Sequence, residues 1–387
     1  MRVAMLAMDA DLDCIAVSLV HTAMVAKSLQ KKMPVRIFVS SKKKKVEAVE
    51  GVQIEGVGFE HGRGMGPLKL LKLAITNAAM LPKLFSESRN TDIFYERAVI
   101  GHVAGLLAAR LAGRPLVYEI DGIMDEEICE ANGIREGPLL NNFVRGAITF
   151  MLGLQVLSAD ACVVVTEELG RAYERKFGLK KWHIIENGVE AVKGRRERNA
   201  HGGTLNMAYV TTLDKFHEIA DIAGVAGRPT GRMLHVIGGG PMLEEYRKNF
   251  GSSNVRFYGK MPRQQVMEFL MKNADAGIVN YAETDIVKKY GLHNCPLKLL
   301  EYMAIGLPSA VLGPTNSFIR KIGADGGCFV AKDIDGLELI LAMLARDKKA
   351  YTKAADAALK CSKKYTWDRN AKQTAAVFEK VLAERRR

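Results

Sequence analysis

The chain has 387 residues, 48% of them hydrophobic, 7% aromatic and 26% charged, a usage that excludes disordered and fibrous proteins. That length exceeds one ordinary hydrophobic core and suits two α/β domains. The formal net charge of +13 is spread over the KGRRER stretch, the second half and the RRR end; it makes a weak nucleic-acid footprint and fits either a phosphate-bearing ligand or a solvated basic surface.

No stretch reaches the roughly 18 uninterrupted apolar residues of a membrane span, since even Ala147 to Val156 is broken by Thr149, Gly153 and Gln155. The start, MRVAMLAMDADLD, lacks a long apolar core and a cleavage site, so it reads as a first buried strand, and a cytoplasmic protein is expected. Six separated cysteines without a CxxC pair predict free buried thiols in a reducing compartment.

Along the first half, short apolar runs alternate with helical-period segments. Val3 to Met8, Val35 to Val39, Ile93 to Tyr95, Pro115 to Ile120, Ala161 to Val165 and His183 to Ile185 are expected as strands. Helices are expected at about residues 16–30, 67–85, 101–112, 138–157 and 167–177. The rhythm predicts a doubly wound α/β domain over residues 1–190, with KKKK at Lys42 to Lys45 as a solvated loop. The polar stretch 191–204 reads as a linker. Strands then restart at Leu205 to Val210, Met233 to Ile237, Val255 to Tyr258, Ala276 to Tyr281, Pro308 to Leu312 and Cys328 to Val330, giving a second α/β domain over 205–365.

Ligands of parallel sheets bind beyond the carboxyl ends of the strands, which directs attention to three junctions of the second half. In HVIGGGPMLEEY, Gly238, Gly239 and Gly240 would let backbone amides approach a nucleotide, although a purely structural turn would look the same. In AYVTTLDKFHEI, Lys215 is placed to meet a diphosphate, or is an ordinary solvated lysine. In YGLHNCPLKLLEYMAIGLPSAVLG, Asn294, Cys295 and Pro296 open a helix bearing Lys298 near its start and, one turn later, Glu301. Helix amides and a lysine suit phosphate and a carboxylate suits a ribose diol; the alternative is an i, i+3 surface ion pair.

The stretch CPLKLLEYMAIGLP resembles the donor-binding helix of glycosyltransferase family 4. ADACVVVTEEL, IIENGVE, VIGGGP, FYGKMPRQQVMEFLMKNADAGIV and YTWDRNAKQTAAVFEKVL resemble further segments of that family, in its order. The resemblance implies the GT-B fold, α/β with two Rossmann-like doubly wound domains facing a central cleft, and a C-terminal helix, 366–387, returning to the first domain. It assigns structural roles to Asn187, Gly188 and Trp367. It implies a glycosyltransferase that moves a sugar from a nucleotide sugar, a UDP-sugar first, to a glycan, lipid-linked or small-molecule acceptor with retention, without a metal or other cofactor.

By the same resemblance Glu301 would hold the donor ribose, and Lys298 with the amides at Pro296 and Leu297 would face the diphosphate. Lys215 matches the family's phosphate-binding lysine loosely. His293, a second catalytic candidate, stands where the family has the first Glu of its paired-glutamate motif, a departure at a position that touches the donor sugar or supports catalysis. In VYEIDGIMDEE, Asp121 matches a donor-sugar contact and is the catalytic candidate, with Gly122 permitting close approach; a helix-capping role is the alternative. Glu96 and Arg97, at another strand end, either line the cleft or form an internal ion pair. The first loop, MDADLDCIA, lacks the family's glycines, and Asp9, Asp11 and Asp13 do not complete a calcium loop.

Residues 64–85 read either as a face for peripheral contact with a membrane or as an ordinary crossover helix. Two rivals stay open: a sugar-nucleotide epimerase or hydrolase of the same fold, and a non-catalytic regulatory or nucleic-acid-binding protein. No nucleic-acid partner is expected.

Overall fold

The computed structural model of the chain describes residues 1–8, 17–40, 46–49, 51–57, 67–192, 203–214, 217, 219–228 and 231–386. They form two compact units. Unit 1 comprises Met1–Glu186 with Trp367–Arg387, and unit 2 comprises Asn187–Thr366.

In chain order unit 1 contains β1 (Val3–Ala7), α1 (Val17–Gln30), β2 (Val35–Ser40), β3 (Val46–Val49), β4 (Val52–Val57), α2 (Pro67–Glu87), β5 (Ile93–Arg97), α3 (Ala104–Leu111), β6 (Leu116–Ile120), α4 (Met124–Ala131), α5 (Leu139–Leu157), β7 (Ala161–Val164), α6 (Glu167–Phe177) and β8 (Trp182–Ile184). The sheet order is β3-β4-β2-β1-β5-β6-β7-β8. The central strands β1, β6 and β7 are buried along their whole length, as parallel strands covered on both faces must be. Helix ends follow local chemistry: the Thr166 hydroxyl accepts from Leu169 N at the start of α6, and Gly178, at φ 71°, closes it.

Unit 2 contains β9 (Leu205–Val210), α7 (Ala220–Gly227), β10 (Arg232–Ile237), α8 (Leu243–Phe250), β11 (Val255–Gly259), α9 (Arg263–Asn273), β12 (Ala276–Asn280), α10 (Asp285–Tyr290), α11 (Leu297–Ala304), β13 (Ser309–Leu312), α12 (Ser317–Ala324), β14 (Phe329–Val330), α13 (Ile334–Arg346) and α14 (Lys348–Ser362). Its parallel sheet runs β11-β10-β9-β12-β13-β14. Met207, Tyr209, Leu234, Val236, Ile278 and Ala310 lie at the centre of its core.

The last helix, α15 (Trp367–Arg385), belongs to unit 1. Trp367 meets His21 edge-on with ring centroids 5.3 Å apart, Phe378 meets Tyr95 at 5.3 Å, and Lys31 donates to Asp368 at 2.6 Å.

Two features depart from the sequence expectations. β3 and β4 pair antiparallel at the sheet edge around Gly51, whose φ is 80°; their alternating glutamates mask the strand signal. α4 was not expected, because Asp125 and Glu126 interrupt its apolar pattern. Both acids are buried: Asp125 is held by Thr149 and Lys176, and Glu126 by Arg145. The unit boundary falls at Glu186, since Asn187 already bonds Cys295 within unit 2. Most of the stretch read as a linker, and the KKKK run, lie outside the described residues. The five described cysteines are free and buried.

Candidate functional site

Unit 2 gathers its polar groups at the carboxyl ends of β9 and β10 and the start of α11. The loops after β9 and β10 interlock: Leu213 N donates to the Gly239 carbonyl at 3.0 Å, and Gly238 N to that of Gly259 at 2.9 Å. A Cβ on Gly238 would overlap the Thr211 carbonyl oxygen, and one on Gly240 the Leu213 carbonyl oxygen. Gly238 also has φ 145°, so backbone approach and conformation both require glycine there.

Lys298, in the first turn of α11, donates from Nζ to Thr211 Oγ1 at 3.2 Å. Its ammonium lies 5.2 Å from the Tyr209 ring centroid and 5.6 Å from that of Tyr281. Burial pushes Lys298 down to about 7, against the pull of Asp214. Asp214 bonds His217 Nδ1 at 2.8 Å. Burial, and then Lys298, hold that imidazole below the usual histidine value.

Glu301 stands one turn beyond Lys298, and its Oε1 accepts from Arg263 Nε at 2.9 Å. Pro296 holds the N-cap position, with φ −70° and ψ 108°, and Leu297 is the first helical residue, so the opening amides of α11 follow directly. His293 is buried in the preceding loop, its Nδ1 3.2 Å from the Gly291 carbonyl oxygen. Lys215, Phe216, Asp9, Asp11 and Asp13 lie outside the described residues.

Unit 1 carries a second cluster at the ends of β5 and β6. Asp121, just after β6, receives Arg97 Nε on Oδ2 at 2.6 Å. Glu119, in register with Arg97 on the adjacent strand, bonds His21 Nε2 at 2.8 Å. Burial disfavours the charged imidazole, but Glu119 holds His21 above its ordinary value. Burial also works against the Asp121 carboxylate, and Arg97, then His21, hold it below the usual Asp value. Donor atoms of His21, Glu119 and Asp121 lie within 4.8 Å of one another, a spacing that could hold a metal ion. Arg97 pairs with Asp121 and His21 bonds Glu119, so each carboxylate already has a partner. Glu119 Oε2 and Asp121 Oδ1 remain buried acceptors without a hydrogen-bond partner among the described residues.

Arg97 and Glu96 part company here, because successive residues of a strand face opposite sides of the sheet. Glu96 packs beneath α3, its carboxylate where a Cβ on Gly105 would overlap it. It is fully buried, both its oxygens lack a hydrogen-bond partner among the described residues, and burial pushes it well above the carboxylate range. Glu96 and Arg97 therefore form no ion pair with each other. Gly122 lies against Glu127, whose carboxylate accepts from Ile123 N at 3.0 Å and would have to shift to admit a Cβ at position 122.

Sequence reasoning missed His21, Glu119, Thr211, Tyr209, Tyr281 and Arg263. Of these, Glu119, Tyr209, Thr211 and Arg263 stand inside segments quoted above, while His21 inside a helix offered no local signal.

Residues 19–193 match the model of Glycosyltransferase Family 4. No curated protein matches in sequence. Among solved structures the chain is similar to sucrose-phosphate synthase from Thermosynechococcus elongatus, with TM-score 0.75 and 12% identity over 99% of this chain and 100% of that one. It is similar to Anabaena HepE, solved in complex with UDP-glucose, with TM-score 0.69 and 14% identity over 98% and 100%. It is also similar to WaaG, a glycosyltransferase involved in lipopolysaccharide biosynthesis, with TM-score 0.65 and 13% identity over 97% and 99%. The chain thus has the GT-B fold of two Rossmann-like units, and its residues 19–193 carry a match to Glycosyltransferase Family 4.

Proposed function

We propose that the protein is a retaining glycosyltransferase that takes its sugar from a nucleotide sugar, UDP-linked in the first instance. The observation that carries the reading is the convergence in unit 2 of Lys298, the opening amides of α11, the glycine loop after β10 and Glu301. Lys298 and the amides supply positive charge for a diphosphate, and Glu301 supplies acceptors for a ribose diol. HepE, of similar fold, was solved with UDP-glucose, which favours UDP over other nucleotides.

In this reading the acceptor hydroxyl attacks the anomeric carbon on the face that the diphosphate leaves. The new carbon–oxygen bond forms as the bond to the diphosphate breaks, and the departing diphosphate takes the acceptor proton. Asp121 stabilises positive charge on the sugar, and Glu119 Oε2 and Asp121 Oδ1 are acceptors available to sugar hydroxyls. His293 takes the place of a carboxylate beside the donor. The reading needs no metal, because lysine and helix amides carry the charge compensation. The acceptor in this reading is the hydroxyl of a glycan, of a lipid-linked sugar or of a small molecule.

Proton NMR of the product formed from a UDP-sugar and a saccharide acceptor mixture tests the chemistry. An α-linked product from an α-linked donor supports retention; a β-linked product contradicts it, and free sugar formed equally with and without acceptor would make the protein a hydrolase.

A further inference from the structure

Lys298 and Glu301 stand three positions apart on α11, the spacing of a helical ion pair, yet they turn to different partners. Lys298 Nζ donates to Thr211 Oγ1 at 3.2 Å, and Glu301 Oε1 accepts from Arg263 Nε at 2.9 Å. The surface pair that the sequence left open as an alternative is therefore not formed. The charge of Glu301 is met instead from another helix.

Arg263 is the first residue of α9, directly after Pro262 at the N-cap with φ −57° and ψ 144°. The strand before it, β11, ends at Gly259, whose carbonyl accepts from Gly238 N at 2.9 Å. The loop that carries Arg263 is thus tied to the glycine loop after β10, and both lie at the carboxyl end of the sheet, where ligands of parallel sheets bind. A second carboxylate faces the same guanidinium: Arg263 Nη1 is 3.6 Å from Glu190 Oε2. Three residues before Glu190, Asn187 donates from Nδ2 to the Cys295 carbonyl at 2.8 Å, just ahead of the N-cap of α11. Residues 187–190 therefore meet the donor helix twice, at its entry and, through Arg263, at Glu301.

The side chains of Arg263 and Glu301 are 29% and 18% exposed. An ion pair this open to water adds little to stability, so what it supplies is geometry. A glutamate alone on a helix face samples several rotamers, and ordering it on a ligand costs entropy. A guanidinium on Oε1 fixes the carboxylate beforehand. It leaves Oε2 without a hydrogen-bond partner among the described residues, and Oε1 keeps a second lone pair. Two acceptors held at a fixed separation match the two adjacent hydroxyls of a ribose, whereas a swinging carboxylate reads neither position strictly.

We propose that Arg263 is the positioning residue by which the donor site selects a ribonucleotide over a deoxyribonucleotide, holding the Glu301 carboxylate ready for both hydroxyls of the ribose. The inference rests on the reading of Glu301 as the ribose contact. It adds that this contact is set by a second helix, α9, and braced from residues 187–190 through Glu190.

Calorimetric titration of the full chain with UDP and with 2′-deoxy-UDP tests the proposal, since the two differ at a single ribose hydroxyl. The wild type is expected to prefer UDP by about tenfold or more, the contribution of a hydrogen bond to a charged group. Arg263→Ala is expected to bind both nucleotides with the preference reduced to under about threefold, and Glu301→Ala to show the same loss. Arg247→Ala, which removes an exposed cation of α8 in the same unit, is expected to keep the wild-type ratio. The ratio compares two ligands on one protein, so a fraction of unfolded variant lowers the number of sites for both and leaves it unmoved. A preference lost in Glu301→Ala but intact in Arg263→Ala would overturn the role of Arg263 and leave Glu301 on the ribose. A wild type without preference, or a preference that survives Glu301→Ala, would remove the ribose reading and the proposal with it.

Discussion

Lys298 Nζ lies 3.2 Å from Thr211 Oγ1 and between the rings of Tyr209 and Tyr281, and burial pushes it down to about 7. A bound diphosphate would raise that value by its own charge. At pH 8 the empty site is therefore mostly neutral and the occupied site protonated. UDP binding is expected to take up close to one proton per site, read by calorimetry in buffers of different ionisation enthalpy. Lys298→Met should abolish the uptake. Uptake undiminished in that variant would assign the proton elsewhere.

Asp121 is expected to matter for turnover more than for binding. Asp121→Asn keeps the shape but removes the charge that Arg97 and His21 compensate. A loss in kcat of about 100-fold or more with the donor Kd little changed is predicted, in the range seen for single electrostatic contributors. A variant with wild-type kcat would remove Asp121 from the mechanism.

Glu96 gives a pH test of the other face of the sheet. Its folded value is raised well above the ordinary one by burial, so the folded state keeps the proton that the unfolded chain loses near pH 4. Stability then falls as pH rises from about 4 towards the raised folded value. Glu96→Gln, neutral at every pH, is expected to melt higher than the wild type at pH 8 and close to it at pH 4. Equal melting shifts at both values would show that Glu96 ionises normally.

Gly238 is held by both φ and space. Gly238→Ala drives a methyl group into the Thr211 carbonyl, so the loop must move. A destabilisation of about 1–3 kcal/mol, the usual range for overpacking, and loss of UDP binding are expected together. Denaturation and calorimetry that found neither would show that the loop relaxes at little cost.

Much of the fold was legible because buried parallel strands leave apolar runs: Ala161 to Val164 and Ala276 to Asn280 fall within residues read as strands. The β3–β4 pair was not legible, since an edge hairpin alternating valine with glutamate carries too little apolar signal. Candidate residues next to a motif, Lys298 and Glu301, are brought to one end of α11, as the spacing on one helix dictates. Long-range partners could not be read. Glu119 looks like any strand residue until α1 brings His21 against it, and Arg263 reaches Glu301 across 38 positions of sequence. The motif resemblance rests mainly on the second half, whereas the family match falls on residues 19–193.

The central claim is that unit 2 binds a nucleotide sugar through α11, with Glu301 on the ribose. Titration calorimetry of the wild type and Glu301→Ala against UDP-, GDP-, ADP-, dTDP- and CMP-sugars tests it directly. Loss of charged hydrogen bonds, each contributing about 1.5–3 kcal/mol, predicts that one nucleotide class, UDP first, binds the wild type and binds Glu301→Ala more weakly by about tenfold or more. Identical titration heats for the two proteins, or no binding of any nucleotide sugar to the wild type, would contradict the account.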